Sequence, residues 1–203
     1  MSEVLNYKKL YRAYLDCRKH KRRTVNALKF EWDLESKLSN LLAELQSGEY
    51  APGRSTCFVV ENPTVREVFA ADFKDRIVHH LLINEIEKAG ESVFIYDSFA
   101  CRKGKGTHKA ISRLKHFTRK ITDNSTKECW YAQLDISGFF MSIDHDLLFS
   151  IYENLVTGQN KSMQWNRDVL WLAKVIVYHR PVDNYFKKGD SSLFALVPKQ
   201  KSL

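Results

Sequence analysis

Two short runs rich in Phe, Val and Thr, residues 56–61 and 65–70, flank the pair Asn62-Pro63, while most of the remaining chain keeps helical spacing. Such runs bounded by a turn pair predict a β-hairpin. The expected fold class is α+β, helix-rich with one hairpin, plus one strand further along over residues 129–136. In that stretch Trp130, Ala132, Leu134 and Ile136 alternate with Tyr131, Gln133 and Asp135, and successive strand side chains point to opposite faces.

The helices follow from apolar period. Val4, Leu5, Leu10, Tyr11, Tyr14 and Leu15 make a stripe over residues 3–19. Leu28, Trp32, Leu34, Leu38, Leu41, Leu42 and Leu45 predict one second helix, starting at Thr24 or Asn26 and stopped by Gly48. Asp72 suits an N-cap, with Asp75 in the first turn, ahead of a helix that Gly90 closes near Lys88. Residues 93–101 read as an aromatic connector, residues 107–121 as a helix, and residues 145–155 and 165–179 as two more. Asp144 reads as an N-cap.

A length of 203 residues allows one sizeable core, or a domain with part of another. The formal charge of +8 favours a polyanionic partner. No apolar run approaches a membrane span, and the N-terminus lacks the centre of a signal peptide. Cys17, Cys57, Cys101 and Cys129 are scattered without a Cys-x-x-Cys pair, so neither a disulfide framework nor a zinc site is indicated, and free thiols fit the cytoplasm.

Charge is concentrated. Residues 98–120 hold Arg102, Lys103, Lys105, Lys109, Arg113, Lys115, Arg119 and Lys120 without one Asp or Glu. Gly104 and Gly106 let backbone approach a ligand ahead of a helix N-terminus, where free N–H groups favour anions. The segment reads as a nucleic-acid backbone contact, against the plainer alternative of a solvated basic face behind a glycine turn. The run Arg18 to Arg23 is either a second such contact or an ordinary basic linker.

Asp135 ends the expected strand on the face opposite Leu134 and Ile136, ahead of Ser137-Gly138. A carboxylate placed there reaches a ligand above the sheet edge and suits Mg²⁺, a hard ion that takes carboxylates together with substrate phosphates. An Asp before Ser-Gly is also a common turn former, and both readings stay open on the residues alone. Phe139 and Phe140 are core residues by default.

Three stretches, "REVFAADFKDRIVHHLL", "YDSFACRKGKGTHKAI" and "LDISGFFMSIDHDLL", stand in the order and approximate spacing found in bacterial reverse transcriptases. The middle one most resembles the enzymes of diversity-generating retroelements. The resemblance covers about residues 55–203 and implies the fingers and partial palm of a right-hand polymerase. It divides the chain into a helical extension (1–50), fingers (51–125) and a truncated palm (126–203). It implies Asp135 as the first metal-binding, catalytic aspartate, and Phe140 as the gate that collides with a ribose 2′-OH. Lys74 and Arg76 would meet the incoming triphosphate, and Arg66 would lie near the templating base. Arg102, Lys103, Lys105, Lys109 and Arg113 would hold the template. The implied cofactor is Mg²⁺, and the implied partners are an RNA template, a DNA or RNA primer, dNTPs and a small accessory protein.

The Gly-rich loop and the Tyr/Phe-x-Asp-Asp hairpin of that family do not occur, and residues 189–203 resemble the approach to the loop. The expectation is therefore an N-terminal fragment, inactive alone and open to self-association through uncovered apolar surface. A non-catalytic nucleic-acid-binding module is the competing reading. A metal-dependent nuclease would need clustered acids or histidines, and the adjacent His79 and His80 point apart on a helix.

Overall fold

The computed structural model describes residues 2–19, 21–136 and 138–198. Helices α1 (Tyr7–Arg18), α2 (Val25–Glu31) and α3 (Leu34–Ser47) precede strands β1 (Ser55–Val60) and β2 (Arg66–Ala70). Helices α4 (Phe73–Val93), α5 (Thr107–Ile121), α6 (His145–Thr157) and α7 (Met163–Val177) follow, then strand β3 (Tyr185–Lys187) and the short helix α8 (Ser191–Phe194). The chain forms two compact units, one joining Met1–Glu87 with Gly138–Leu203, the other comprising Lys88–Ser137.

In the first unit the expected hairpin forms. β1 and β2 pair antiparallel, with Thr56 opposite Ala70 and Val60 opposite Arg66. β3 adds on the other side of β1 in parallel, Ser55 opposite Tyr185 and Cys57 opposite Lys187. The core lies among the helices. Leu10, Ala13, Tyr14 and Cys17 of α1 are buried in one cluster with Leu38, Leu41 and Leu45 of α3. Phe73, Ile77, Val78 and Leu81 of α4 and Val169, Leu172 and Ala173 of α7 belong to the same cluster, as do Ala27 and Phe30 of α2 and Val156 of α6.

Three buried or half-buried acids tie distant segments together. Asp75, 2% exposed, accepts from the Tyr50 hydroxyl at 2.8 Å and from the Gly53 N–H at 2.9 Å, fixing the Pro52-Gly53 turn to α4. Burial first, and then the negative charge of Asp75, push the Tyr50 hydroxyl far above its ordinary pKa. Glu85 accepts from both Lys9 Nζ and Trp165 Nε1 at 2.8 Å, joining α1, α4 and α7. Asp168 accepts from Ser2 Oγ at 2.5 Å and Gln164 Nε2 at 2.7 Å.

Three expectations about elements are corrected, and one strand was not expected. The single helix expected up to Gly48 is two, α2 and α3, because Asp33 leaves helical geometry (φ −137°, ψ 60°) and starts α3 afresh. The break turns Leu28 and Trp32 outward, 53% and 92% exposed. α4 runs through Gly90 to Val93, since helix-interior glycine costs only about 1 kcal/mol. The strand expected over residues 129–136 is absent: the segment carries no regular structure, and Trp130 and Leu134 are 97% and 91% exposed. Alternation marks a strand only where a neighbour takes up its backbone hydrogen bonds, and the described sheet is β2-β1-β3. β3, in turn, follows an unremarkable sequence that gave no strand signal.

The caps at Asp72 and Asp144 form as expected, Asp72 Oδ1 accepting from Lys74 N at 3.0 Å and Asp144 Oδ1 from Asp146 N and Leu147 N at 2.9 Å. Among the described residues no helix is long and apolar enough to cross a membrane. Of the stretch compared with the approach to a Gly-rich loop, residues 199–203 lie outside the described ones, as do His20 of the basic linker and Ser137 beside Asp135.

Candidate nucleic-acid interface and metal carboxylate

The basic segment lies in the second unit. Its loop is built by backbone geometry. Gly104 and Gly106 take φ of 70° and 99°, a region costly for residues with a Cβ. A Cβ added at either glycine would meet nothing within 4 Å, so conformation rather than crowding calls for glycine. The Gly106 N–H donates to Phe99 O at 3.2 Å and closes the loop just before α5.

Arg102 organises the connector from within. Its Nε donates to both Glu91 oxygens at 3.1 and 3.0 Å, and Nη2 donates to Glu91 Oε2 at 2.8 Å. Nη1 donates to Ile95 O at 2.9 Å and Ser98 O at 3.0 Å. The guanidinium sits 5.1 Å from the Phe94 ring centroid, and the side chain is only 9% exposed. Hydrogen bonding from Arg102 holds the Glu91 carboxyl below its ordinary pKa. Lys103 lies in the field of the same carboxylate.

Lys105, Lys109 and Arg113 face an open hollow of about 470 Å³ lined also by Tyr96, Phe99 and His116. Lys105 Nζ donates to Tyr96 O at 2.5 Å and lies 3.9 Å from the Tyr96 and 5.1 Å from the Phe99 ring centroids. Arg113 pairs with Asp97 at 2.7 Å and lies over the Tyr96 and Phe117 rings, 5.1 and 4.4 Å from their centroids. Lys109 has no ion pair among the described residues and is exposed. No residue of α5 is buried. The acid-free window of the sequence is thus misleading in one respect: Glu91 and Asp97, just before it, neutralise two of its arginines. Extending the window upstream to residue 91 would have found both acids.

Asp135 is exposed, and its Oδ1 accepts from the next N–H, that of Ile136, at 3.0 Å. Local hydrogen bonding of this kind is the turn-former behaviour. Phe140 belongs to the first unit, 83% exposed in the one-turn 3₁₀ helix Phe139–Met141, its ring 5.2 Å from that of Phe139. Both rings therefore lie largely in solvent, and the default core assignment does not hold for them.

The fingers candidates of the first unit lie on β2 and the first turn of α4. Arg66 is half-buried on β2, with Nη1 3.4 Å from Thr64 O. Lys74 Nζ is held by Glu44 at 2.6 and 2.8 Å beside the Tyr50 ring, on the wall of a 390 Å³ hollow shared with Lys29 and Lys37. An incoming phosphate would have to displace the Glu44 carboxylate. The Arg76 guanidinium lies 5.8 Å from the Phe73 ring centroid, and its buried Nε has no hydrogen-bond partner among the described residues.

A model of the reverse transcriptase (RNA-dependent DNA polymerase) family matches residues 60–194, well over half of the chain. That match covers β2, α4, the basic loop, α5 and the Asp135 segment, and it implies a polymerase palm-and-fingers fold. The chain belongs to the reverse transcriptase family. No curated protein matches it.

Reverse transcriptases generally use Mg²⁺. Among the described residues no three His, Cys, Asp or Glu side chains gather where a metal ion could sit. Asp135 would supply one carboxylate, which does not amount to the oxygen set an octahedral ion needs, still less to a two-ion centre.

Proposed function

We propose that the chain serves RNA-templated DNA synthesis as the fingers and part of the palm of a bacterial retroelement reverse transcriptase, of the diversity-generating kind. The observation that carries this reading is the cation-lined hollow at the start of α5, inside the stretch matched by the family. Lys105 and Lys109 grip the template backbone there, and Arg113, paired with Asp97, holds the Tyr96 wall beside them. Arg102 and Lys103 shape the loop that presents them. Cations gathered on a groove with aromatic walls give a sequence-tolerant, salt-dependent hold on single strands.

In this reading Asp135 is the first metal-bearing carboxylate, Phe140 excludes the ribose 2′-OH, Arg66 sits by the templating base, and Lys74 and Arg76 meet the triphosphate. Phosphoryl transfer rests on positioning and charge neutralisation, so a lone carboxylate gives no polymerisation. Further acids, and a small accessory protein, would come from outside the described residues. The exposed α5 residues Leu114 and Ile121, 63% and 64% accessible, supply surface for self-association.

The solitary position of Asp135 favours one second reading, a non-catalytic nucleic-acid-binding module. Two measurements on the 203-residue chain test these readings. Lys105→Gln with Lys109→Gln should weaken binding to single-stranded RNA of any sequence, and unchanged binding removes the hollow from the interface. Primer extension with Mg²⁺ should give no product. Asp135-dependent synthesis would overturn the expected inactivity and end the binding-module reading.

A further inference from the structure

A second charged and aromatic surface lies outside the stretch matched by the family. Helix α2 buries Ala27 and Phe30 and turns Val25, Leu28 and Trp32 to the opposite side, 63%, 53% and 92% exposed. These positions recur at helical spacing on one face. Together with Lys29 they line a hollow of about 430 Å³. The basic linker leads straight into it. Arg18 is tied to Glu31 and Lys19 to Asp16. Arg22, Arg23 and Lys29 are exposed and make no ion pair among the described residues.

An indole left almost wholly in water at the edge of an apolar strip marks a contact surface, and the cations beside it decide what it fits. A second copy of the chain would bring the same basic rim and another +8 charges. Single-stranded RNA brings the opposite charge along its backbone and flat bases for the indole. We propose that α2 and the linker before it form an RNA-binding surface separate from the α5 hollow: a base stacks on Trp32 over Val25 and Leu28, while Arg22, Arg23 and Lys29 hold the flanking phosphates. The inference rests on the chain's membership of an RNA-handling family, not on the roles assigned to the α5 residues.

The test uses the full chain and a fluorescein-labelled oligo-uridine, with duplex RNA of equal length as the comparison. Trp32→Ala should weaken oligo-uridine binding by roughly tenfold, the order expected for one stacked base. Trp32→Phe should keep most of the affinity, and duplex binding should hardly change. Arg22→Gln with Arg23→Gln should lower the salt slope by about 1.4, two phosphate contacts at about 0.7 each on a single strand. A 4-thiouridine oligomer should cross-link to the peptide containing Trp32, and should still do so after Lys105→Gln with Lys109→Gln. Survival of that cross-link supports the surface whatever becomes of the fingers reading. Wild-type affinity in Trp32→Ala, or equal losses on single-stranded and duplex RNA, would overturn the stacking surface. So would a Trp32 emission shift, taken as the difference from Trp32→Phe, that follows poly-glutamate or protein concentration but not RNA. That result would make the strip a protein-docking face.

Discussion

Arg102 and Lys109 stand seven residues apart in one basic segment, yet the structure gives them different work, and salt dependence separates the two. Every donor nitrogen of Arg102 is engaged, with Glu91 and with the carbonyls of Ile95 and Ser98. Lys109 is exposed on the wall of the hollow. A phosphate contact on a single strand contributes about 0.7 to the slope of log affinity against log salt. Lys109→Gln should therefore reduce the slope by about 0.7. Between 1 M and 0.1 M salt that amounts to a loss of about fivefold in the gain on dilution. Arg102→Gln should leave the slope unchanged while loosening residues 94–106, so that affinity falls by the same factor at every salt concentration and proteolysis in the connector speeds up. The assay is fluorescence anisotropy with single-stranded RNA across a salt series. A slope loss in Arg102→Gln as large as in Lys109→Gln would refute the division into brace and contact.

Tyr50→Phe should lower stability by about 1.5–3 kcal/mol, the value of a hydrogen bond to a charged group, read as a lower chemical-denaturation midpoint. The same variant tests a pH effect. The folded state holds the Tyr50 hydroxyl protonated well above its ordinary pKa of 10.0, so its stabilisation is complete below about pH 10 and lost as the pH rises further. Wild type should therefore lose stability relative to Tyr50→Phe only on the alkaline side, and parallel pH profiles would contradict this. Gly106→Ala should destabilise the loop before α5, because φ there is 99°. Limited proteolysis at residues 94–106 should quicken while the melting of the first unit holds.

Much of the helical architecture was legible because its causes are local. The stripe of α1, the Gly48 stop, the caps at Asp72 and Asp144 and the start of α5 after Gly106 depend on residues within one or two turns. Hairpin and turn are also neighbours in sequence. The failures share a different cause. Leu28 and Trp32 fit the same period as Leu38 and Leu41, and nothing in that period reveals that Asp33 breaks the helix and turns the first pair outward. Residues 129–136 alternate perfectly well, but a strand exists only with a partner. β3, three residues long, owes its state to pairing with Ser55 to Cys57 across about two thirds of the chain.

The site was legible as charge and illegible as geometry, and the reason is electrostatic. A tally of cations treats each one as available, whereas a guanidinium with a carboxylate at hydrogen-bond distance presents little field to an incoming phosphate. Sequence order hides this, since Glu91 lies in the last turn of α4 and Asp97 just ahead of the acid-free stretch. The same consideration weighs the fingers candidates. Lys74 is paired with Glu44, its exposure and that of its partner being 34% and 38%, so the pair is weak and an anion can exchange for the carboxylate at small cost. Arg76 keeps a buried Nε unpaired among the described residues, a condition that an added acceptor would relieve. The two residues that reached the same assignment by family likeness therefore arrive at it with opposite electrostatic starting points, one needing to be released and the other needing to be satisfied. Glu44→Gln should then strengthen nucleotide or phosphate binding in the first unit, measured by calorimetric titration with inorganic triphosphate. An unchanged affinity would place Lys74 outside any anion site.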